Sequence, residues 1–249
     1  MKNLLIYTGP NKKFSDEDAT LAKIQIDNSL DLGWERQNII LATDFTFEYN
    51  GVKSQIVPDG LYYDFDKNAN KARVLVYLLN QEIIEPGNLY WCHDFDAYEL
   101  NKISEEELVL SDFDLGLVHY FYKPEWSFSS FFLKQDSKDI IELLDNTISA
   151  RPWKTRNNEK TLTWLIKHGK ISNKRFKKMN VTYNITKRYL ETVYNEAEKP
   201  IKVLHFRPTD KDALMPDTAL NMFMYGKNSL KMPLMNERLI KIFNQHGIK

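Results

Sequence analysis

The first hundred residues alternate between strand patterns and helical patterns, which limits the chain to a small number of folds. Short apolar runs at residues 4–8 and 38–43 predict two buried strands. Between them, Ser15 precedes three acidic residues, which favours a helix start, and Leu32 and Gly33 end the helical spacing. Because this order forms a βαβ unit, we expect parallel strands joined by a right-handed crossover.

The alternation continues as far as residue 93. Residues 54–57 predict a short third strand. An apolar stripe at helical spacing predicts a helix over residues 70–85, with the Pro-Gly pair at 86–87 as its breaker. Residues 89–93 are bulky strand formers and predict the next strand. The order strand, helix, strand, helix, strand is typical of a nucleotide-binding α/β sheet.

Two carboxylates, Asp94 and Asp96, follow this last strand directly. Ligands of open α/β sheets collect beyond the carboxyl ends of strands, and Mg²⁺ and Mn²⁺ take carboxylate and phosphate oxygens. The same Asp-Phe-Asp triplet occurs at 64–66, where Asp64 and Asp66 would cap the helix that follows, and at 112–114, as a turn entering a strand. Context therefore favours 94–96 as a metal-assisted phosphate site, the alternative being solvated loop acids. We expect the strand to end by Asp94 and Phe95 to turn into the core.

The composition is that of an ordinary globular protein, with 249 residues of which 43% are hydrophobic and 27% charged. Thirty-four basic and 34 acidic residues cancel, so no overall positive field indicates a nucleic-acid partner. The local basic run at 167–178 is interpreted as a solvated helix-loop-helix surface. The single cysteine, Cys92, excludes an internal disulfide and a thiolate-rich zinc site. With no apolar run of signal-peptide or membrane-span length, we expect a cytoplasmic protein.

The second half of the chain is more mixed. Residues 115–120 and 201–206 predict strands, and residues 138–148 predict a helix. The aromatic segment 120–128 either forms a platform for a sugar acceptor or fills the core. A helix over 235–246 has one apolar face, which would pack on the protein, with peripheral membrane contact as the alternative.

The order of these parts resembles the GT-A class of nucleotide-sugar glycosyltransferases. The resemblance covers most of the chain and rests on six segments, namely residues 4–8, the helix start with Lys71 and Arg73, the DXD segment 91–96, residues 113–118, Asn158 with Glu159, and residues 204–206. The layout is also similar to small glycosyltransferases of large DNA viruses and phages. The resemblance implies an α/β fold with a mostly parallel, Rossmann-like central sheet flanked by helices and a smaller mixed acceptor-side region.

The resemblance also implies a division of labour within one domain, 1–249. Residues 1–100 would bind the nucleotide sugar, and residues 101–249 would form the acceptor side and the C-terminal helix. Asp94 and Asp96 would hold Mn²⁺ or Mg²⁺, which bridges the diphosphate of the donor. His205 matches the third metal ligand of retaining enzymes related to glycogenin, although the glycine and Lys-Pro-Trp that follow in those enzymes are absent here. The alternative for His205 is a histidine hydrogen-bonded at a strand end.

Further donor contacts follow from the same resemblance. Lys71 and Arg73 would bring positive charge to the phosphates or sugar, the alternative being an exposed first helical turn. Base and ribose contacts would come from three side chains that follow predicted strands, Tyr7, Thr8 and Asp44. Glu159 would act as a general base or orient the acceptor, with an equally good explanation as an acid that stabilises a helix N-terminus.

These residues together predict a metal-dependent glycosyltransferase of the hexosyl or deoxyhexosyl class. It would move a sugar from a nucleoside-diphosphate sugar, UDP-sugars being favoured, to a hydroxyl of a glycan or glycoprotein. One alternative is a sugar-nucleotide pyrophosphorylase-like nucleotidyltransferase, although residues 9–13 contain one glycine where that class requires a glycine-rich loop. Another alternative is a non-catalytic glycan-binding protein on the same fold.

Overall fold

The computed structural model describes residues 1–65, 69–120, 125–150, 157–186, 194–206 and 236–248. The strands are, in chain order, β1 (Lys2–Tyr7), β2 (Ile39–Thr43), β3 (Glu48–Tyr49), β4 (Val52–Ile56), β5 (Tyr90–His93), β6 (Ala97–Glu99), β7 (Leu115–His119), β8 (Trp126–Leu133), β9 (Phe176–Met179), β10 (Ile185–Thr186) and β11 (Val203–His205). The α-helices are α1 (Asp16–Asp31), α2 (Asn70–Asn80), α3 (Glu105–Leu108), α4 (Lys138–Ala150), α5 (Asn158–Lys167) and α6 (Glu237–Gln245). Short 3₁₀ turns lie at Arg36–Asn38, Gln135–Ser137 and Val181–Tyr183.

The chain divides into two compact units, each assembled from separate segments. Unit 1 comprises Met1–Phe14, Glu35–Asp94 and Ser104–Met179. Unit 2 comprises Ser15–Trp34, Phe95–Ile103 and Asn180–Lys249.

Unit 1 contains an eight-stranded sheet in the order β3-β4-β2-β1-β5-β8-β7-β9. Strands β4, β2, β1 and β5 are parallel, and β8 runs antiparallel to both of its neighbours before β9 pairs in parallel with β7. The predicted mostly parallel α/β sheet is confirmed. The register places Tyr7 opposite Thr43 and Leu5 opposite His93, so the carboxyl ends of β1, β2 and β5 lie at one edge.

The core of unit 1 forms because its strands are apolar and its helices carry apolar stripes. Leu4 and Leu41 are almost fully buried in the centre of the sheet. Helix α2 packs against α4, and α4 packs against α5. Their inward side chains, including Leu75, Leu144 and Leu162, join the same hydrophobic cluster. Burying each such side chain contributes about 1.5 to 3 kcal/mol to the free energy of unfolding, and this packing holds the sheet edge in place.

Helix α2 ends earlier than the predicted position of residue 85. Glu82 adopts a left-handed backbone conformation with φ of +52°, and the N–H groups of Ile83 and Ile84 both donate to the Leu78 carbonyl. This turn buries Ile84 completely. The helix is therefore terminated by a local turn that inserts an apolar side chain into the core, rather than by the Pro-Gly pair that follows.

The start of α2 also differs from the expectation for the triplet at 64–66. The residue at the N-cap position is Ala69, which makes no side-chain capping bond. Asp64 lies in a turn several residues earlier, and Asp66 falls outside the described residues. The carboxylate of Asp64 therefore does not cap this helix.

The largest departure from the sequence analysis is β8, which was not predicted as a strand. It is inserted between β5 and β7, and its Trp126 and Phe128 are 9% and 2% exposed. These two aromatic residues therefore fill the core, whereas residues 121–124 lie outside the described part of the chain. The helix-loop-helix interpretation of 167–178 is also wrong, because α5 ends at Lys167 and the basic run continues into the edge strand β9.

Unit 2 contains a three-stranded sheet in the order β10-β11-β6 together with α1 and α6. The predicted cap of α1 is confirmed, since the Ser15 hydroxyl accepts a hydrogen bond from the Asp18 N–H at 3.0 Å. Helix α6 buries Leu239, Ile242 and Phe243 and so packs on unit 2 as predicted, while Met235 falls outside the described residues. Among the helices of the described ranges, none is both long enough and apolar enough to cross a bilayer.

Candidate functional site

The carboxyl ends of the parallel strands in unit 1 place several polar residues together. Strand β1 lies between β2 and β5, so the chain builds the sheet first to one side of β1 and then to the other. In open α/β sheets, ligands bind at such a reversal, outside the carboxyl ends of the strands. Thr8, Asp44 and Asp94 directly follow β1, β2 and β5. The topology therefore brings these three predicted donor contacts to the same edge.

Strand β5 ends at His93, as predicted, and Asp94 is held by the neighbouring strand. The Asp94 N–H donates to the Ser129 carbonyl at 2.8 Å, which extends the ladder between β5 and β8 by one bond. Phe95 then enters a turn and is only half-buried. The prediction that Phe95 turns into the core was wrong. Phe95 lies in the short turn before β6, and this turn leaves it only half-buried.

That following strand, β6, brings Asp96 to His205. Strands β6 and β11 are antiparallel, with Ala97 opposite His205. The Asp96 carbonyl accepts from the Phe206 N–H at 2.9 Å, and His205 Nε2 lies 3.1 Å from Asp96 Oδ1. The side chains of Asp96 and His205 are 23% and 17% exposed, so a small ligand can reach both. Strand β6 was not predicted, and its register is what joins two residues separated by 109 positions.

Asp96 and His205 of unit 2 form a candidate metal-binding pair, and Asp94, the last residue of unit 1, lies two positions before Asp96 in the chain. Two carboxylates and an imidazole are donors that Mn²⁺ accepts, and hard divalent cations fill their remaining positions with water or substrate phosphate. The residues therefore fit the predicted Mn²⁺ or Mg²⁺.

Lys71 provides the counter-charge for Asp94. Its ammonium donates to Asp94 Oδ1 at 2.5 Å and to the Phe128 carbonyl at 3.0 Å, and its side chain is 11% exposed. Burial lowers the pKa of Lys71, but the charge and hydrogen bond of Asp94, together with the Cys92 and Glu159 side chains, outweigh burial and raise the pKa above its ordinary value. Lys71 is therefore charged, and its place near the start of α2 is explained by this ion pair rather than by solvent exposure.

Arg73 points to a different set of partners. Its guanidinium lies 3.8 Å from the centre of the Tyr63 ring and donates to the Ser149 hydroxyl at 3.3 Å, while its Nε lies 3.7 Å from Asp145. Burial and the Asp145 hydrogen bond raise the pKa of Tyr63 to about 12. These contacts join α2 to α4, so Arg73 is not brought to Asp94 together with Lys71.

Asp44 has one carboxylate oxygen left for a ligand. It is 6% exposed, and its Oδ2 accepts from the Gly9 N–H at 3.3 Å. Oδ1 is buried and has no hydrogen-bond partner among the described residues. An acceptor buried without a donor costs free energy, so this oxygen is suited to a donor group of a bound molecule. Thr8 is satisfied within the protein, since its hydroxyl donates to the Leu61 carbonyl at 2.9 Å.

Tyr7 belongs to an aromatic group beside this position. Its ring centre lies 4.6 Å from that of Phe14 and 6.1 Å from that of Phe45. Phe14 in turn meets Phe47 edge to face at 5.0 Å. Tyr7 is half-buried at the end of β1.

Glu159 lies in the first turn of α5 but does not cap it. The cap is Asn157, whose side chain accepts from the Lys160 N–H at 2.8 Å. The Glu159 carboxylate instead reaches β8, where Oε1 accepts three hydrogen bonds, from the Phe128 N–H at 3.1 Å, the Ser127 hydroxyl at 3.2 Å and the Ser129 hydroxyl at 3.1 Å. None of these three β8 residues was predicted as a site residue. The alternation of aromatic residues and serine over 126–129 was the available signal for a strand.

Comparison with known proteins identifies the fold. Neither a family model nor a curated protein matches the sequence. The chain does align with the crystal structure of a glycosyltransferase involved in the glycosylation of the major capsid of PBCV-1, with a TM-score of 0.55. The alignment covers 82% of this chain and 93% of that chain at 12% identity. The fold is GT-A-like.

A second solved structure, mouse xyloside xylosyltransferase 1 in its apo form, aligns over 82% of this chain and 97% of that chain. The sequence identity is 12% and the TM-score is 0.47. The GT-A-like fold predicted from the order of the motifs is thus confirmed by the sheet topology and by the viral structure. On this GT-A-like fold, Asp94 follows β5 directly.

Proposed function

We propose that this protein is a metal-dependent glycosyltransferase. It transfers a sugar from a nucleoside-diphosphate sugar to a hydroxyl group of a glycan or glycoprotein. The observation that carries the proposal is the position of Asp94 directly after β5 of a GT-A-like sheet, two residues before Asp96, whose Oδ1 lies 3.1 Å from His205 Nε2. Metal ligands placed beyond the carboxyl end of a strand suit the binding of a donor diphosphate.

In this proposal Asp94, Asp96 and His205 hold Mn²⁺ or Mg²⁺. When bound, the cation supplies Lewis-acid stabilisation of the leaving nucleoside diphosphate. Lys71 neutralises Asp94 and adds a fixed positive charge on the same side of the sheet. Because an ammonium that is hydrogen-bonded to two acceptors is already oriented, it needs no rearrangement to face a phosphate oxygen.

The nucleoside is assigned to the ends of β1 and β2. Asp44 Oδ1, buried and without a partner among the described residues, accepts a hydrogen bond from a ribose hydroxyl or a base N–H. An acid at the equivalent place in dinucleotide-binding sheets accepts from the ribose. Tyr7 offers part of its ring to the base, and Thr8 shapes the loop between them. UDP-sugars remain the favoured donors, with a hexose or deoxyhexose as the transferred group.

Arg73 retains a weaker place in the proposal. Donor binding by Arg73 requires its guanidinium to leave Tyr63 and Ser149. Its participation, like the division of the chain into donor and acceptor halves near residue 100, stays a prediction.

Isothermal titration calorimetry with UDP-sugars and GDP-sugars, with and without Mn²⁺, tests the proposal. We expect nucleotide-sugar binding that strengthens at least about tenfold with Mn²⁺, which corresponds to about 1.4 kcal/mol. Equal binding with and without the metal would contradict the proposal. Incubation with donor distinguishes the enzyme classes, because a glycosyltransferase releases a nucleoside diphosphate whereas a pyrophosphorylase requires pyrophosphate and releases a nucleoside triphosphate.

A further inference from the structure

Strand β8 is irregular where it passes the candidate site. It pairs regularly with β7 at Phe131 opposite Leu117, but the next pair joins Trp126 to His119. Between these two pairs, β8 advances by five residues whereas β7 advances by two, so β8 contains extra residues at 127–129. Bulges of this kind break the ladder locally and redirect backbone and side-chain groups, and they occur frequently beside active sites.

The Glu159 carboxylate holds this bulge in shape. Its Oε1 accepts from the Phe128 N–H, which therefore has a partner although the local ladder is disrupted, and also from the Ser127 and Ser129 hydroxyls. The Ser127 hydroxyl additionally accepts from the Ser129 N–H at 3.0 Å. One carboxylate oxygen thus ties three consecutive residues together, and hydrogen bonds to a charged acceptor are stronger than those between neutral groups.

Two carbonyl groups of the same bulge accept hydrogen bonds from residues on the donor side of the site. The Phe128 carbonyl accepts from Lys71 Nζ at 3.0 Å, and the Ser129 carbonyl accepts from the Asp94 N–H at 2.8 Å. Lys71 and Asp94 are themselves joined at 2.5 Å. Glu159 is therefore linked to both residues through the backbone of Phe128 and Ser129, and all five residues belong to unit 1.

We infer that Glu159 is a positioning residue, which fixes Asp94 and Lys71 through the β8 bulge, rather than the general base of the reaction. This inference rests on the proposed function for the role of Asp94 and Lys71. Oε1 is committed to the strand by three hydrogen bonds, so a catalytic base at this residue would have to direct a lone pair of Oε2 at the acceptor hydroxyl, and substitution by glutamine separates the two roles. Groups behind a metal ligand set its orientation and hence the affinity of the site.

Substitutions at Glu159 separate the two roles, with Mn²⁺ affinity measured by electron paramagnetic resonance. Glu159→Ala releases the bulge and should weaken Mn²⁺ binding about tenfold, which is the usual effect of losing a group behind a metal ligand. Glu159→Gln keeps a carbonyl oxygen for the same three donors, so its Mn²⁺ affinity should stay close to that of the wild type. A matched control is Thr163→Ala, which removes another bond between α5 and β8, to the Trp126 N–H at 3.4 Å, outside the bulge.

Hydrolysis of a UDP-sugar supplies the second readout. For a positioning residue, Glu159→Gln retains most of kcat and the pH profile of the wild type. For a general base, Glu159→Gln lowers kcat by about 10²-fold or more while Mn²⁺ affinity is unchanged, and this result would overturn the inference. If Glu159→Ala fails to fold, Ser129→Ala removes one of the three donors and should weaken Mn²⁺ binding in the same direction.

The inference and the proposed function fail in different ways. Wild-type Mn²⁺ affinity in both Glu159→Ala and Ser129→Ala would overturn the positioning role alone. Absence of Mn²⁺ binding by the wild-type protein would overturn the metal site, and the positioning role with it. Equal weakening by Thr163→Ala and Glu159→Ala would show that the effect comes from general loosening of α5, which also contradicts a specific role for Glu159.

Discussion

His205 Nε2 lies 3.1 Å from Asp96 Oδ1, and the register of two short strands accounts for the contact. Ala97 in β6 pairs with His205 in β11, so the residue before β6 meets the last residue of β11. A carboxylate oxygen and an imidazole nitrogen are both metal ligands. The same arrangement explains why a histidine at the end of a late strand belongs with acids from the first half of the chain.

Substitution of either residue should impair the metal site without unfolding the protein. Asp96 and His205 are partly exposed and lie at strand ends, so Asp96→Ala and His205→Ala leave the core unchanged. We expect Asp96→Ala to abolish Mn²⁺-stimulated transfer and His205→Ala to weaken Mn²⁺ binding. Calorimetry measures the Mn²⁺ affinity, and circular dichroism checks that each variant is folded. The control is Asp112→Ala, an exposed acid of another Asp-Phe-Asp triplet. Wild-type activity in Asp96→Ala would show that Asp96 is not part of the site.

Asp114 should show the opposite behaviour. Its carboxylate pairs with Arg175, which also binds Asp139 at 2.8 Å, and this network joins the start of β7 to α4. Asp114→Ala should lower the free energy of unfolding by about 1 kcal/mol or less, as for other partly exposed ion pairs. Its Mn²⁺ affinity should equal that of the wild type. Weakened Mn²⁺ binding at unchanged stability would mean that the wrong triplet was assigned to the metal.

Lys71 and a bound cation should both interact with the negative charge of the Asp94 carboxylate. In Lys71→Met the carboxylate loses a partner that is 11% exposed and bonded at 2.5 Å. The Asp94 carboxylate, whose side chain is 36% exposed, is then left without its counter-charge, which solvent screens in part. We therefore expect Mn²⁺ to raise the melting temperature of Lys71→Met more than that of the wild type, as measured by calorimetry. Equal shifts in the two proteins would show that the cation does not contact Asp94.

The sequence was sufficient for the parts of the fold that depend on local pattern. The strand at residues 4–8, the Ser15 cap and the strand ending before Asp94 follow from apolar periodicity and capping chemistry, and the structure shows each of them. His205 was located near a strand end for the same reason. Its meeting with Asp96 was implied only by the family resemblance, because a register between distant strands is not visible in local sequence.

Other parts were missed because they depend on distant contacts. Strand β8 lies between β5 and β7, and its serines at 127 and 129 are explained by the Glu159 carboxylate, 32 and 30 positions away. The segment was interpreted as an acceptor platform or as part of the core, and no strand was assigned to it. The basic run that ends in β9 was interpreted as a solvated helix-loop-helix surface, since Lys177 and Lys178 conceal the buried Phe176 and Met179. Long-range pairing therefore decided these elements.

Glu99 should give the stability of the protein a distinctive pH dependence. Burial raises the pKa of this carboxyl from about 4.5 to about 7, although hydrogen bonds from Trp34 and the Ile103 N–H and the charge of Arg238 oppose the rise. The unfolded chain therefore loses this proton at lower pH than the folded chain. The free energy of unfolding should fall as pH rises from about 4.5 to about 7. The decrease should be on the order of 3 kcal/mol, given about 1.36 kcal/mol for each unit.

Urea denaturation of the wild type and of Glu99→Gln at several pH values measures this effect. The variant has no titrating group at residue 99, so the difference in stability between the two proteins should move in favour of the variant as the pH rises. The single carbonyl oxygen of the introduced amide satisfies only one of the two donors, and this adds a constant penalty that does not depend on pH. Parallel pH profiles for the two proteins would contradict the raised pKa of Glu99.

The most direct test of the central claim is a crystal structure with Mn²⁺ and a UDP-sugar, recorded at a wavelength where manganese scatters anomalously. The account predicts an anomalous peak bonded to Asp94, Asp96 and His205 and to the donor diphosphate, with the nucleoside reaching Asp44 Oδ1. A bound donor with no manganese at these residues, or manganese bound elsewhere in the protein, would contradict it.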